Sequence, residues 1–352
     1  MSDSARNLRY VLGLDGGGSK TACLLADDTG RVLGHGLGGP TNINFVSRRT
    51  AIASVRRAVR QAIAPIRPAE IAVACGSHTG PDWIAAMCSV VPVRQAFGVG
   101  EHEPVRAACM RQRGPGLVIV AGTGATIIAW DNRRRVVVVG GWGSPLGDEG
   151  GAYDTAMRAL RAAIYGEDGR GQPTALGEAV REHFKIADLR ELHRIFYQER
   201  VPRHIVSRFC CAVFAVAQAG DAAARKVLAD SGRALGIAAA AAIRRRGLRR
   251  GRLDVVVSGG MVSAGRFLLV PLRREVRRAA PRAQVRAADR EPVVGCLLLA
   301  LGHLGRVINQ DLRQRVDETM AALGLRHWPG PGGQSLVGAH GVRPGSATIP
   351  HS

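Results

Sequence analysis

The chain has 352 residues, 46% of them hydrophobic but only 4% aromatic, with 49 basic against 28 acidic residues and a net charge of +21. That length allows two domains with cores of Ala, Val, Leu and Ile, and no apolar stretch reaches membrane-spanning length without charge or glycine, which argues against a membrane protein. The charge invites a nucleic-acid reading, but the arginines are scattered along helix faces (Arg56, Arg57, Arg60) or grouped in a turn (Arg133 to Arg135) and at a helix end (Arg244 to Arg246), with no aromatic stacking set, so no nucleic-acid partner is expected.

In chain order, residues 9–14 read as a strand that ends in Asp15-Gly16-Gly17-Gly18-Ser19-Lys20-Thr21, and residues 21–26 and 31–36 as two more strands, joined by the turn Asp27-Asp28-Thr29-Gly30. Three consecutive glycines exceed what a hairpin requires. They let backbone N–H groups approach phosphate oxygens without a Cβ in the way, and Asp15 beside them can hold a hydrated Mg²⁺. This is not the GxxxxGK[ST] phosphate loop, because a strand follows rather than a helix. Thr41-Asn42-Ile43-Asn44 then offers amides to sugar hydroxyls, although Asn in a turn is usually structural. Residues 50–63 carry Ile52, Val55, Val59 and Ile63 at helical spacing, and residues 71–75 return to a strand.

The pattern then recurs. Residues 117–121, 126–130 and 134–139 read as strands, with Gly122-Thr123-Gly124 after the first and a turn beginning Asp131-Asn132 before the third. Strand, glycine turn, strand, polar turn, strand thus occurs twice, an internal repeat of architecture. Gly140-Gly141-Trp142-Gly143-Ser144-Pro145-Leu146-Gly147-Asp148-Glu149-Gly150-Gly151 follows. Its two carboxylates would suit the start of a helix at 152–164, but a cap needs no tryptophan loop, so a ligand-shaping role is preferred. Helices are expected at 205–219, 223–245 and 292–305. Between them the run Val255-Val256-Val257 leads into Ser258-Gly259-Gly260, where a nucleoside can approach the backbone or a strand can simply end. The class is α/β.

Seven cysteines, mostly inside apolar runs and with no CxxC pair, suggest buried reduced thiols. With no signal-peptide pattern at the N-terminus, a cytoplasmic location is expected. From about 327 onward the Gly/Pro/Ser/His-containing tail is expected to be disordered.

Taken together these residues resemble the acetate and sugar kinase/Hsp70/actin superfamily, and within it the BadF/BadG/BcrA/BcrD-type ATPases and their N-acetylglucosamine kinase branch. The resemblance covers about residues 8–305. It rests on Asp15 to Thr21, Thr41-Asn42, Gly122-Thr123-Gly124, Gly141-Trp142-Gly143 with Gly147-Asp148-Glu149-Gly150, Ser258-Gly259-Gly260 and Glu291-Pro292-Val293-Val294-Gly295. It implies a two-domain actin-like ATPase (a duplicated ribonuclease H-like fold) with ATP in the cleft between domains: residues 1–121, completed by a returning helix at 291–324, then 122–290 and a tail at 325–352. It further implies an ATP- and Mg²⁺-dependent kinase of an amino sugar, most simply N-acetylglucosamine, working as a homodimer.

The roles implied follow the motifs. Asp15 orients the metal. Gly16, Gly17, Gly18, Ser19, Lys20, Thr21, Gly122, Thr123 and Gly124 hold phosphates, and Gly259 and Gly260 the nucleoside. Asn42, Trp142, Gly143 and Asp148 shape the sugar pocket. Two positions depart from the family pattern: Ala125 stands where a small hydroxyl residue is usual, and the aspartate that serves as base is replaced. Counting back from Gly122 puts Glu103 in its place, with Glu101 and His102 as substitutes. Two rival readings remain: a dehydratase activator carrying an iron–sulfur cluster, for which Cys75 is the one candidate ligand, and a sugar sensor with a weakened site.

Overall fold

The computed structural model describes residues 8–110, 114–144 and 146–325, so the expected disorder of the tail lies outside the described residues apart from Leu325. The first part of the chain runs β1 (Tyr10–Asp15), β2 (Thr21–Asp27), β3 (Val32–Gly38), α1 (Arg48–Ile63), β4 (Ile71–Ser77), α2 (Trp83–Cys88), β5 (Val93–Val99) and α3 (His102–Cys109). The second runs β6 (Gly116–Ala121), β7 (Ala125–Trp130), β8 (Val136–Gly140), α4 (Ala152–Glu167), α5 (Leu176–Phe184), α6 (Leu192–Tyr197), α7 (Arg203–Gln218), α8 (Ala222–Arg246), β9 (Leu253–Ser258), α9 (Arg266–Ala279) and β10 (Ala283–Ala287). Two helices close the chain, α10 (Pro292–His303) and α11 (Gln310–Ala322).

The strands form two five-stranded sheets with one topology. The orders are β3-β2-β1-β4-β5 and, read the same way, β8-β7-β6-β9-β10. In each, the first three strands are an antiparallel meander, and the first pairs in parallel with the fourth, which pairs in parallel with the fifth. The repeat read from the two glycine turns is therefore a duplication of the whole sheet. A division at residue 121 would cut the second sheet, because β6 pairs with β7 and β9.

Packing follows the residues available. Strand β3 offers Gly34, Gly36 and Gly38 along one face, and α1 lays Ser54, Ala58 and Ala62 against them. A Cβ on the three glycines would stand 2.1, 1.9 and 2.1 Å from the carbonyl oxygens of Ala62, Ala58 and Ser54. Two residues of strand and four of helix advance by nearly the same length, about 6.6 and 6 Å, so the two small-residue rows stay in step. The returning helix α10 is apolar nearly all round, with Val293, Val294, Cys296, Leu297, Leu298, Ala300 and Leu301 buried. It packs on β1, β4 and α3, and its core extends to Val118, Trp130 and Val256 of the second sheet. Helix α11 fastens to the first sheet too, Thr319 Oγ1 accepting from the Val32 N–H at 2.9 Å. The arginines at 244–246 do form the last turn of a helix, which Gly247 ends in a left-handed conformation.

Replacing Gly36 by alanine should cost about 2 kcal/mol or more, because the clash is with helix backbone and not with a side chain that can turn away. Gly98→Ala in β5, where the nearest atom lies 3.8 Å from a built Cβ, should stay within about 0.5 kcal/mol. Urea midpoints of the two variants measure the difference, and equal midpoints would contradict the packing described.

Candidate active site between the two sheets

The glycine turns emerge from the C-terminal ends of the parallel strand pairs, where open α/β sheets bind ligands. β1 ends beside β4, Asp15 opposite Ser77, and β6 ends beside β9, Val120 opposite Ser258. The first turn is locked from below. Gly16 N–H donates to Ser77 O at 2.8 Å, and Gly17 N–H donates to Thr41 Oγ1 at 3.1 Å. Thr41 is fully buried, and its own hydroxyl donates to His78 O at 2.9 Å. A Cβ on Gly16 would lie 2.2 Å from Thr41 Oγ1 and 2.5 Å from His78 O, so no other residue fits there. Thr21 is buried, and its hydroxyl donates to Gly39 O at 2.8 Å, a structural use of that side chain.

The second turn is held by the helix that follows it. Ala152 N–H and Tyr153 N–H, at the start of α4, donate to Gly122 O and Thr123 O at 2.8 and 3.0 Å. Gly259, with φ of 105°, sits against β6, where a Cβ would be 2.3 Å from Ala121 O. Gly122 and Gly260, by contrast, have nothing within 4 Å of a built Cβ and face open space. The two loops meet across the cleft: Ser19 Oγ and Thr123 Oγ1 are 2.8 Å apart, and a Cβ on Gly18 would reach Thr123 Oγ1 at 3.3 Å.

Asp148 lies under the tryptophan loop, 8% exposed, with φ of 66°. Its Oδ1 accepts from Gly143 N–H at 3.2 Å, and its Oδ2 lies 2.2 Å from where a Cβ on Gly124 would be. It therefore joins this loop to the second phosphate turn and does not cap α4. Trp142 is 77% exposed. Asn42 uses its Oδ1 to accept from Asn44 N–H at 3.0 Å, which leaves its amide NH₂ for a ligand.

Charge converges beneath the first turn. Lys20 Nζ donates to Glu291 Oε2 at 2.9 Å, and Glu291 is almost completely buried at the start of α10. Asp15 keeps some accessible surface, but the protein packed round it removes enough water to raise its carboxyl to about 7. His78 and Lys20 pull that value down, while Glu291 and Glu101 add to the rise. His78 sits at φ of 53° and forms an ion pair with Glu101 through Nε2 and Oε1. Burial pulls His78 down, but Glu101 and Asp15 outweigh it and hold the imidazole above its ordinary value. Glu101 Oε2 is buried and has no hydrogen-bond partner among the described residues.

Glu103 has a different setting. It lies in the first turn of α3 and acts on His102, whose value burial lowers despite both neighbouring glutamates; it is not among the groups that move Asp15. The carboxylates that the fold brings to Asp15 are Glu291 and Glu101, the latter at the N-terminal boundary of α3. Counting residues back from Gly122 gave Glu103, with Glu101 and His102 kept as substitutes. His78 and Glu291 were missed as charged members of the cluster. The one signal was Glu291-Pro292 at a helix start, since Pro at the first position marks where a helix begins. Cys75, the candidate cluster ligand, is fully buried in β4 between β1 and β5, so it cannot reach an exposed cluster.

Comparison with known proteins agrees with this architecture. The model of the BadF/BadG/BcrA/BcrD ATPase family matches residues 12–300, and the chain belongs to that family. It is 22% identical over 302 residues to an N-acetylmuramic acid/N-acetylglucosamine kinase of Clostridium acetobutylicum, covering 83% of this chain and 98% of that one. It is 23% identical over 314 residues to an N-acetyl-D-glucosamine kinase of Dictyostelium discoideum, covering 82% and 97%. Among solved structures, a protein of Chromobacterium violaceum proposed to be an N-acetylglucosamine kinase superposes with a TM-score of 0.63 at 24% identity, over 84% of this chain and all of that one. A ROK family glucokinase of Streptomyces griseus in complex with glucose and AMPPNP gives 0.53 at 15% identity, over 83% and 99%. These likenesses establish the fold, that of the actin-like ATPases and sugar kinases.

The charge cluster carries a pH signature. Asp15 titrates near 7 in the folded chain against 3.8 for an ordinary aspartate, so the folded state holds more protons between those values and stability falls as pH rises across them. The raised His78 works in the same direction, its stabilisation being lost as pH rises past about 6.5. In EDTA, Asp15→Asn should be more stable than wild type at about pH 8 and indistinguishable from it below about pH 4. Thermal melts across that range measure this, and no gain at the alkaline end would show that burial does not raise this carboxyl.

Proposed function

We propose that this protein transfers the γ-phosphoryl group of ATP to a hydroxyl of an amino sugar, N-acetylglucosamine being the first substrate to test. The observation that carries the reading is the meeting of the two glycine turns, Ser19 Oγ against Thr123 Oγ1, with the first turn beginning at Asp15. The names of the sequence relatives favour an N-acetylated amino sugar as acceptor.

In this reading the first glycine turn, through the N–H groups of Gly18 to Lys20, and the second, through those of Thr123 and Gly124, hold the β- and γ-phosphates, and the open backbone at Gly260 admits the nucleoside. Asn42, Gly143 and Asp148 set the sugar's orientation, with Trp142 as the apolar wall. The donor set fits Mg²⁺, which takes one or two carboxylates and completes its shell with phosphate and water oxygens. Asp15 would hold it, and a cation there would offset the burial that raises Asp15 and the smaller push from Glu291 and Glu101. The metal would neutralise charge on the transferred phosphoryl group. Glu101 is the proposed base. Its Oε1 pairs with His78, and in this reading Oε2, buried and without a hydrogen-bond partner among the described residues, accepts the hydroxyl proton as the oxygen attacks in line. Closure of the two loops excludes water, which would otherwise compete as acceptor. A homodimeric, cytoplasmic enzyme completes the reading; among the described residues no helix is long and apolar enough to cross a membrane.

ADP release in the presence of amino and neutral hexoses tests the function. Sugar-dependent turnover is expected, and its absence with every sugar would end the reading. Glu101→Gln should lower kcat by about 10² to 10⁴ with KM little changed, whereas Glu103→Gln should stay within a few-fold. The reverse pattern would return the base to Glu103.

A further inference from the structure

The net charge of +21 and the arginine runs take no part in the site described above. Along the chain these arginines are scattered, but the second sheet gathers them at one end. Val136, Trp130, Gly116, Asp254 and Gln284 stand side by side across β8, β7, β6, β9 and β10. Gly122 to Gly124 and Gly259-Gly260 lie at the other end of the same strands. Three connections run just outside the row: the turn at 131–135, the loop at 247–252 and the short link at 280–282. They carry Arg133 and Arg134, then Arg249, Arg250 and Arg252, then Arg282, and all six are exposed. The last turn of α8 reaches the same place, Arg246 Nε lying 3.5 Å from Asp131 Oδ2.

The acidic groups at this end are already engaged. Asp131 pairs with Arg135 and Arg246, Glu275 with Arg278, and Asp254 with Arg286. None of the six exposed arginines has an ion pair or a side-chain hydrogen bond among the described residues. Elsewhere in the same half, arginines are neutralised close by: Arg158 by Asp154, Arg170 by Asp168 and Arg181 by Glu167. Five adjacent strands span about 19 Å, four strand spacings. Six unneutralised charges along that length repel one another and sustain a positive potential that an extended polyanion would relieve.

The residue types select among polyanions. The six are all arginine, in a chain whose lysines are Lys20, Lys185 and Lys226 alone, and a guanidinium forks onto phosphate oxygens through two N–H groups. The three connections contain no aromatic residue, so unstacked bases have no platform there. Leu248, their one large aliphatic side chain, is 8% exposed and cannot enter a bilayer. A nucleic-acid duplex needs neither feature, and it presents about eleven phosphates over the length of the row. We propose that this end of the second half docks on the phosphate backbone of double-stranded nucleic acid without reading its sequence. The expectation of no nucleic-acid partner rested on scatter along the chain, which the fold removes. The surface lies at the opposite end of the strands from the glycine turns, so docking leaves the cleft open and does not depend on which acceptor the cleft takes.

Fluorescence anisotropy of a labelled duplex of about 20 base pairs, titrated with the full chain between about 50 and 300 mM salt, tests this. The logarithm of the binding constant should fall against that of the salt concentration with a slope of about −5, as six phosphate contacts require. The triple variant Arg249→Gln/Arg250→Gln/Arg252→Gln should bind at least about tenfold more weakly at about 100 mM salt and flatten the slope by about 3. Arg133→Gln/Arg134→Gln should weaken binding from a separate turn. Arg49→Gln/Arg57→Gln/Arg60→Gln removes the same charge from exposed positions on α1 and should change affinity by less than about twofold. All these positions are exposed, and thermal melts check that each variant folds as wild type does. No binding at about 100 mM salt, or equal losses in the two triple variants, would overturn the proposal. Tighter binding to a single strand of the same length, or to phosphatidylserine vesicles, would also overturn it and give the surface to that partner.

Discussion

The cleft depends on backbone segments that approach more closely than a Cβ allows. Gly16 lies against the Thr41 hydroxyl and the His78 carbonyl, Gly259 against the end of β6, and Gly124 against the Asp148 carboxylate. Each contact ties a loop to the element behind it, and together they fix where the open N–H groups of the two turns face. Rigidity of this kind is what a phosphoryl-transfer site needs, since the protein's contribution there is mainly position and charge. The same approach distance builds the scaffold farther out, where α1 rides on Gly34, Gly36 and Gly38. A chain with 45 glycines and few aromatics spends its glycines on contact between elements as well as on turns.

Charge is the second constraint. Asp15, Glu101 and Glu291 crowd beneath the first turn, with Lys20 paired to Glu291 and His78 to Glu101. The Lys20–Glu291 pair links the first glycine turn to the start of α10, a helix that also packs against α3. Since α3 begins just after Glu101, the loop, the returning helix and the Glu101 carboxylate belong to one mechanically connected set. The cluster is costly without ligands, and this is the usual condition of a site that stabilises charge brought by its substrate.

Much of this was legible in the sequence, for identifiable reasons. The glycine turns, the strands flanking them, the apolar α10 and the basic end of α8 all follow from local pattern, and the repeat of turn spacing revealed the duplication. What was not legible came from elements whose exposure breaks the pattern. β5 reads VRQAFGV, with no clean alternation, and β10 is five residues long with Gln and Arg in it. Helix α3 carries Pro104 in its first turn, which is permitted there but hides the helix from an interior reading. Without β5 and α3 in place, counting back along the chain chose Glu103 over Glu101. His78 could not be found at all, because its partner Glu101 follows a strand that was not recognised.

The two halves share a sheet topology but not the same burden. Between β3 and β4 the chain spends 32 residues and makes one helix; between β8 and β9 it spends 112 and makes α4 to α8. The first connection can be short because the glycine row of β3 takes α1 at backbone contact. In the second, β8 is a valine strand with Val136 and Val138 46% and 51% exposed, and α8 packs on β7 and β8 from the long insertion. The loop leading into that insertion supplies Trp142 and Asp148. In the proposed reading the duplicated sheets and their turns account for the part of the site common to any phosphoryl donor, while the residues proposed to face the acceptor, Asn42 apart, come from where the duplication breaks. On that reading substrate choice can change through the long insertion without disturbing the strands behind the glycine turns, which is how one fold accommodates different acceptors.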